Sequence, residues 1–255
     1  MFFPISDDDR RLVKPAYVTW ALIALNVAAF VYQMSNPAFT YGYAAVPREI
    51  TTGEDLVQPV LLQVAPGRAV EIPQTPGPVP IQLTLLTAMF MHGGLGHIGG
   101  NMLFLWIFGD NVEHRFGSVR FLAFYLASGL AASFAQIATD PGSVIPTLGA
   151  SGAISGVLGA YLMLFPRNRV HAIFLFYVVS LPAYTVIGMW ALTQLVNGYG
   201  SMFISQQTGG VAYAAHLGGF AAGLLAGWYA RRQLPAEPPS AFYWVMQNDP
   251  RNRRR

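Results

Sequence analysis

The sequence predicts an all-α fold: a polytopic membrane protein whose six transmembrane helices form one bundle. Of its 255 residues, 53% are hydrophobic and only 11% are charged, whereas about 25% charged residues are usual for a soluble domain. The mean hydropathy is positive. Apolar stretches extend along almost the whole chain, which favours one bundle over two soluble domains.

Six stretches approach the length of about 20 residues that a helix needs to cross a hydrocarbon core. The second and the fourth are short and rich in glycine, so we expect their N-terminal ends to lie within the protein rather than in lipid. In chain order, the predicted spans are 16–35, 95–112, 119–138, 149–166, 171–196 and 211–231.

These spans define the predicted domain organisation. In the long first loop, the proline-rich segment 66–80 is expected to be irregular and solvated. The apolar segment 81–92 is expected to lie at the membrane interface. The regions are an N-terminal tail (1–15), a six-span domain (16–231) with a non-cytoplasmic first loop (36–94), and a basic C-terminal tail (232–255).

The basic residues orient the bundle. All of the 15 Lys and Arg residues except Arg48 and Arg68 lie on one side if the six spans alternate. That side is predicted to be cytoplasmic, with both termini there. The start of the chain is polar and the first span has no cleavage site after it, so this span is expected to remain as an anchor. The basic residues beside the spans are expected to contact lipid headgroups, which explains the net charge of +3. No nucleic-acid partner is therefore expected.

Polar residues inside spans are costly and indicate a partner or a function. His97 and Asn101 are four residues apart and therefore share one face of the second span. Ser151 begins the fourth span, and His216 lies one to two turns into the sixth. Alternation of the spans places all four at similar depth near the non-cytoplasmic side.

Glycines at helical spacing predict close contact between the fourth and sixth spans, which would bring Ser151 within reach of His216. Such seams also serve packing alone, and a serine within one often bonds its own helix backbone. The matching depth of His216 favours catalysis over that reading. The seam residues are Gly152, Gly156 and Gly159 in the fourth span and Gly219, Gly223 and Gly227 in the sixth.

This set of residues supports serine-based hydrolysis. A neutral histidine can take the serine proton, so Ser151 is predicted as nucleophile and His216 as base. No Asp or Glu lies at that depth in a span, which predicts a dyad without the carboxylate of a triad. His97, Asn101 and the backbone N–H of Ser151 are the predicted oxyanion donors.

Other membrane chemistries lack their residues. The chain has no HExxH motif and no pair of aspartates within spans, and the absence of cysteine excludes disulfides and thiolate chemistry. The stretch "GASGA" has Ala153 where a soluble hydrolase elbow has glycine. Neither a metal nor a cofactor is expected. A channel or transporter remains an alternative because it too would use glycine seams and buried polar groups.

The motifs resemble those of the rhomboid intramembrane serine proteases. "HGGLGHIGGN" (92–101) looks like the rhomboid His-x4-His-x3-Asn pattern, and "VEHRFG" (112–117) like its Glu-x-Arg-x-Gly loop. "GASG" (149–152) is similar to the nucleophile motif, and "AHLGGFAAG" (215–223) to the helix that carries the base. The four motifs occur in order across the six predicted spans.

The resemblance implies hydrolysis of a peptide bond in or beside a transmembrane helix of a protein substrate, at the non-cytoplasmic side. It implies Ser151 as nucleophile and His216 as base, with His97, Asn101 and the Ser151 amide as oxyanion donors. His92, Gly149 and Gly152 are implied as supporting residues. We expect an active enzyme in the cytoplasmic membrane of a prokaryote; the alternative is an inactive rhomboid-like protein that binds membrane helices.

The chain departs from the common rhomboid pattern in two places. Many rhomboids carry a tyrosine four residues after the nucleophile, where this chain has Ser155, and many carry a Trp-Arg pair in the first loop, where residues 36–80 contain no tryptophan.

Glu113 and Arg115 are expected to pair at the cytoplasmic side. Pro182 is expected to kink the fifth span.

Overall fold

The computed structural model describes residues 3–8, 12, 14–203 and 212–234, and for residues 200–203 it describes the backbone alone. These residues are mostly helical, as predicted, and they form two small antiparallel sheets that were not predicted. In chain order the elements are β1 (Phe3–Asp7), α1 (Tyr17–Ser35), α2 (Pro37–Tyr43), α3 (Pro47–Thr52), β2 (Val60–Ala65), β3 (Arg68–Ile72), α4 (Thr84–Thr87), α5 (Leu95–Phe116), α6 (Ser118–Thr139), α7 (Ser151–Leu164), β4 (Arg169–Phe174), β5 (Tyr177–Pro182), α8 (Ala183–Phe203) and α9 (Tyr213–Gln233).

Six helices in the described ranges have 14 residues or more, and these long helices, α1 and α5 to α9, match the predicted spans in number and order. Within the described ranges, α1 and α6 are both long enough and apolar enough to cross a membrane by length and composition alone. Helix α7 is apolar but has 14 residues. Every residue from 152 to 161 is buried, so α7 is the central helix.

The predicted fifth span is wrong in its first half. Residues 169–182 form the hairpin β4–β5 rather than helix, and α8 starts only at Ala183. Strand β4 also pairs with β1, which gives a three-stranded sheet in the order β1-β4-β5. Pro182 therefore ends a strand and kinks no helix. A short apolar run that is rich in β-branched residues fits a strand as well as a buried helix.

The first loop is more ordered than predicted. Residues 60–72 form the β2–β3 hairpin, so the expectation of an irregular segment fails for its first half. Residues 81–90 form a succession of short helical turns whose apolar side chains Ile81, Leu85 and Met89 are buried. This segment packs within the protein at the end of the bundle where Ser151 lies, since the Ala88 carbonyl accepts from the Gly149 N–H at 2.9 Å.

Helices α7 and α9 are in close backbone contact along the predicted glycine seam. A Cβ at Gly219 would overlap the carbonyl oxygen of Gly152, and a Cβ at Gly223 would overlap that of Gly156. On the other side of α7, a Cβ at Gly156 would lie 2.5 Å from that of Ser128 in α6. The predicted seam is confirmed, and it fixes the distance between the helices that carry Ser151 and His216.

Glu113 and Arg115 have partners other than each other. The carboxylate of Glu113 accepts the backbone N–H groups of Val18 (3.0 Å) and Thr19 (2.7 Å), together with the hydroxyls of Thr19 and Ser118. Arg115 donates to the carbonyl of Leu234. Because the first N–H groups of α1 lack partners within the helix, the buried carboxylate serves as its N-terminal cap, and the predicted pair is corrected.

Candidate active site

Ser151 occupies the first position of the central helix α7. The preceding Gly149 has φ +133°, a conformation that favours glycine. The segment before it is held by backbone bonds to the first loop, where Ala45 and Thr147 exchange two N–H···O bonds of 2.9 and 2.8 Å. The serine is thus presented from a turn that is anchored on both sides.

His216 lies in the first turn of α9, and its Nε2 is 2.8 Å from the Oγ of Ser151. The two residues are 65 positions apart in the chain and meet because the glycine seam brings α7 and α9 together. The start of α9 is further fixed by Gln136 of α6, whose side-chain oxygen accepts the N–H of Ala215 at 3.3 Å. The structure therefore brings together the two residues that the sequence singled out.

His97 projects from the first turn of α5 toward the same place. Its Nδ1 accepts the backbone N–H of Gly93 at 3.3 Å, so in the neutral ring the proton resides on Nε2. A Cβ at Gly149 would lie 2.8 Å from that Nε2 and 3.6 Å from the Oγ of Ser151. The N–H of His97 thus faces the serine, and the lack of a side chain at Gly149 keeps the space between them open.

Asn101, one turn further along α5, is buried and bonded to His92. The amide nitrogen of Asn101 lies 2.9 Å from Nε2 of His92. Burial, with a smaller effect from the nearby His97, lowers the pKa of His92 to about 4, so the ring is neutral and its Nε2 can accept this bond. Asn101 also lines the cleft described below, and its amide group has a second hydrogen. His92 therefore orients Asn101.

The segment that carries His92 is held by the first helix. Gln33 of α1 accepts the N–H of His92 at 2.9 Å and donates to its carbonyl at 3.2 Å. Gln33 is buried, and sequence reasoning did not identify it. An uncharged polar residue near the end of an apolar span was the available signal.

A cleft of about 1510 Å³ opens onto these residues. Its walls come from α5, α6, α7 and the segment between α6 and α7, with Trp190 from α8 and His216 from α9, and strand β2 of the first-loop hairpin contributes Val60 and Leu62. Such a volume exceeds the 300–1,000 Å³ usual for small-molecule pockets. The predicted site residues that line the cleft are His97, Asn101, Ser151 and His216.

Comparison with known proteins assigns the family. The rhomboid domain model matches residues 82–233, a range that includes every predicted site residue. This chain belongs to the rhomboid family. It is consequently a polytopic membrane protein, and the resemblance inferred from the motifs is confirmed.

Several curated rhomboids are similar to this one. Rhomboid protein 1, mitochondrial, of Saccharomyces cerevisiae is 34% identical over 160 residues, which is 61% of this chain and 44% of that protein. Rhomboid protease GluP of Bacillus subtilis is 46% identical over 85 residues, 33% of this chain and 16% of its own length. The human presenilin-associated rhomboid-like protein, mitochondrial, is 33% identical over 156 residues, which is 57% of this chain and 36% of that protein. The chain spans less than half the length of these relatives.

In this rhomboid His216, the predicted base, has neighbours from α8 that the sequence did not reveal. Nδ1 of His216 lies 2.7 Å from the side-chain oxygen of Gln194. The Trp190 ring is 6.1 Å from the imidazole centroid, inclined by 38°. Ser155, which occupies the position of the common tyrosine, donates to the carbonyl of Ser151 at 2.6 Å. Ser155 bonds its own helix, and the contacts to the imidazole come from α8.

Proposed function

We propose that this rhomboid is an intramembrane serine endopeptidase that cleaves transmembrane-protein substrates near the non-cytoplasmic face by a Ser151–His216 dyad. The observation that carries the proposal is the 2.8 Å bond between Nε2 of His216 and Oγ of Ser151, at the edge of an open cleft. Family membership supports the reaction class, and the similar protein of Bacillus subtilis is named a rhomboid protease.

The reaction follows from this geometry. His216 Nε2 accepts the hydroxyl proton of Ser151 while Oγ bonds to the carbonyl carbon of the substrate. The C–N bond then breaks, and the imidazolium returns its proton to the departing amine. In the second half, His216 takes a proton from water while the water oxygen bonds to the acyl carbon. The bond between that carbon and Oγ then breaks, the imidazolium returns its proton to Oγ, and the acyl fragment leaves as a carboxylic acid.

Negative charge on the carbonyl oxygen requires fixed donors. We assign this role to the N–H of His97, the second amide hydrogen of Asn101 and the backbone N–H of Ser151, because all three residues line the same cleft. The Ser151 amide also lies at the N-terminus of α7, where the helix dipole favours an anion. Loss of one such donor commonly costs about 2.7–4 kcal/mol in the barrier.

We further propose that the six long helices all cross the membrane with both termini in the cytoplasm, in the cytoplasmic membrane of a prokaryote. The distribution of basic residues supports this orientation. It places Ser151 and His216 at the non-cytoplasmic ends of α7 and α9, within reach of a substrate segment that enters from that side.

Cleavage by the purified full-length chain tests the proposal. In liposomes, the wild-type protein should cut a model single-span substrate, and Ser151→Ala should abolish cleavage. Ser128→Ala serves as a matched control, because Ser128 is a buried serine of α6 outside the cleft. Undiminished cleavage by Ser151→Ala would refute the proposed nucleophile, and a wild-type protein that binds the substrate without cutting it would identify the inactive, helix-binding alternative.

A further inference from the structure

The imidazole of His216 has hydrogen-bond partners at both of its nitrogens. One is Ser151 at Nε2, and the other is Gln194 at Nδ1, with the latter distance 2.7 Å. Gln194 lies in the middle of α8, and its side chain is only 7% exposed. A buried amide within an apolar helix requires a partner, and here that partner is the proposed catalytic base.

The orientation of the Gln194 amide is fixed by its own neighbour. The hydroxyl of Thr193 donates to the carbonyl of Trp190 at 2.6 Å, so its oxygen is left to act as an acceptor. The amide nitrogen of Gln194 lies 3.4 Å from that oxygen. The nitrogen end of the amide therefore faces Thr193, and the oxygen end faces His216.

This orientation selects one tautomer of the ring. An amide oxygen can only accept, so Nδ1 of His216 must carry the proton. Nε2 then has a free lone pair directed at the Ser151 hydroxyl, which is the form that a general base needs. If the amide were reversed, its N–H would hold the proton on Nε2, and the ring could not accept the proton of Ser151.

A second contact from the same helix restrains the ring plane. Trp190 lies one turn before Gln194 on α8 and contacts both the imidazole and the Phe220 ring, whose centroid is 5.7 Å from that of Trp190. Ser155 cannot perform this task, because its hydroxyl is bonded to the Ser151 carbonyl. Trp190 thus restrains the plane of the His216 ring, and Gln194 selects its tautomer.

We propose that Gln194 is a positioning residue for the base, the neutral counterpart of the carboxylate in a Ser-His-Asp triad. The proposal rests on the proposed protease function and deepens it. The amide holds His216 in the Nδ1–H form without placing a charge in the bundle. Such a charge would be costly at this depth.

Two variants of Gln194 and one of the neighbouring Leu195 test the proposal. Gln194→Met keeps the volume and removes the acceptor, and we expect kcat to fall at least about tenfold with KM unchanged, the limit being the whole general-base contribution of about 100- to 10,000-fold. Gln194→Glu keeps an acceptor oxygen and should retain more activity than Gln194→Met. Leu195→Met, on an exposed position of α8, is the matched control and should retain wild-type kinetics. Equal kcat in Gln194→Met and the wild type would overturn the proposal.

A spectroscopic readout separates this role from a purely structural one and from the reaction itself. In protein with ¹⁵N-labelled histidine, the resonances of His216, assigned by their absence in His216→Ala, report which nitrogen is protonated. We expect the Nδ1–H form in the wild type and a mixture of tautomers in Gln194→Met. The Nε2–H form in the wild type would overturn the proposal, and so would an unchanged tautomer in the variant. Because no substrate is used, this result stands even if cleavage fails.

Discussion

The glycine seam between α7 and α9 offers the sharpest perturbation of the site. Gly219 lies one turn after His216, and its backbone faces the carbonyl of Gly152, the residue that follows Ser151. A Cβ at Gly219 would overlap that carbonyl oxygen and lie 3.0 Å from the carbonyl carbon. Both opposing atoms belong to the backbone, so the Gly219→Ala change cannot be relieved by a rotation of a side chain.

The required displacement is large compared with the hydrogen bond that it affects. Carbon atoms in contact prefer about 3.5–4.0 Å, so the carbon contact alone requires about 0.5 Å of separation, and the overlap with oxygen raises it to roughly 1 Å. Moving α9 away by that amount would lengthen the 2.8 Å Ser151–His216 bond beyond the usual limit of about 3.2 Å. A misplacement of 1 Å can cost on the order of 100-fold in rate, and overpacking costs about 1–3 kcal/mol of stability.

The assay compares cleavage of a model substrate in liposomes with thermal unfolding of the same preparations. For Gly219→Ala we expect kcat to fall by about 100-fold while the protein remains folded. Gly188→Ala is the matched control and should behave as wild type, because Gly188 is a helical glycine of α8 around which the described part of the chain places no neighbouring atom within 4 Å of an added Cβ. Full activity in Gly219→Ala would refute the reasoning that the seam sets the distance between nucleophile and base.

Three further predictions address the surroundings of the site. Gly149→Ala should lower kcat at least about tenfold, because its methyl group meets a φ of +133° and approaches His97 to 2.8 Å; unchanged kinetics would exclude the crowding argument. Asn101→Ala should lower kcat by about 100- to 1,000-fold with little change in KM, and a change confined to KM would contradict its role as an oxyanion donor. Burial raises the pKa of Glu49 above 4.5, so its contribution to stability is present below pH 4.5 and is lost as the pH rises through the raised value. Glu49→Gln should therefore unfold at a higher temperature than wild type at pH 7, with the difference vanishing near pH 4; an equal difference at both pH values would contradict this.

Much of the helical arrangement could be predicted from the sequence because it depends on local patterns. The apolar stretches predicted six helices in the right order, and glycines spaced by four predicted the seam between α7 and α9. The β4–β5 hairpin was missed because its apolar run fits either a strand or a buried helix. Its partner strand Phe3–Asp7 lies more than 160 positions away in the chain, and a pairing so distant leaves no local trace.

The site was predictable where depth and spacing determine it. The alternation of spans placed Ser151, His216, His97 and Asn101 at one level, and the structure brings them to one cleft. Gln194 was not found, because its contact with the base depends on the rotation of α8 against α9, and the predicted fifth span was misplaced. The unassigned signal was the amide of Gln194 within an apolar predicted span.

Covalent labelling of Ser151 tests the central claim most directly. The purified wild-type protein is treated with a fluorophosphonate, which reacts with serines that a neighbouring base has activated, and the adduct is mapped by mass spectrometry. We predict one modified residue, Ser151, and a labelling rate that collapses in His216→Ala. An adduct on a different serine, or equal labelling rates in wild type and His216→Ala, would contradict the account.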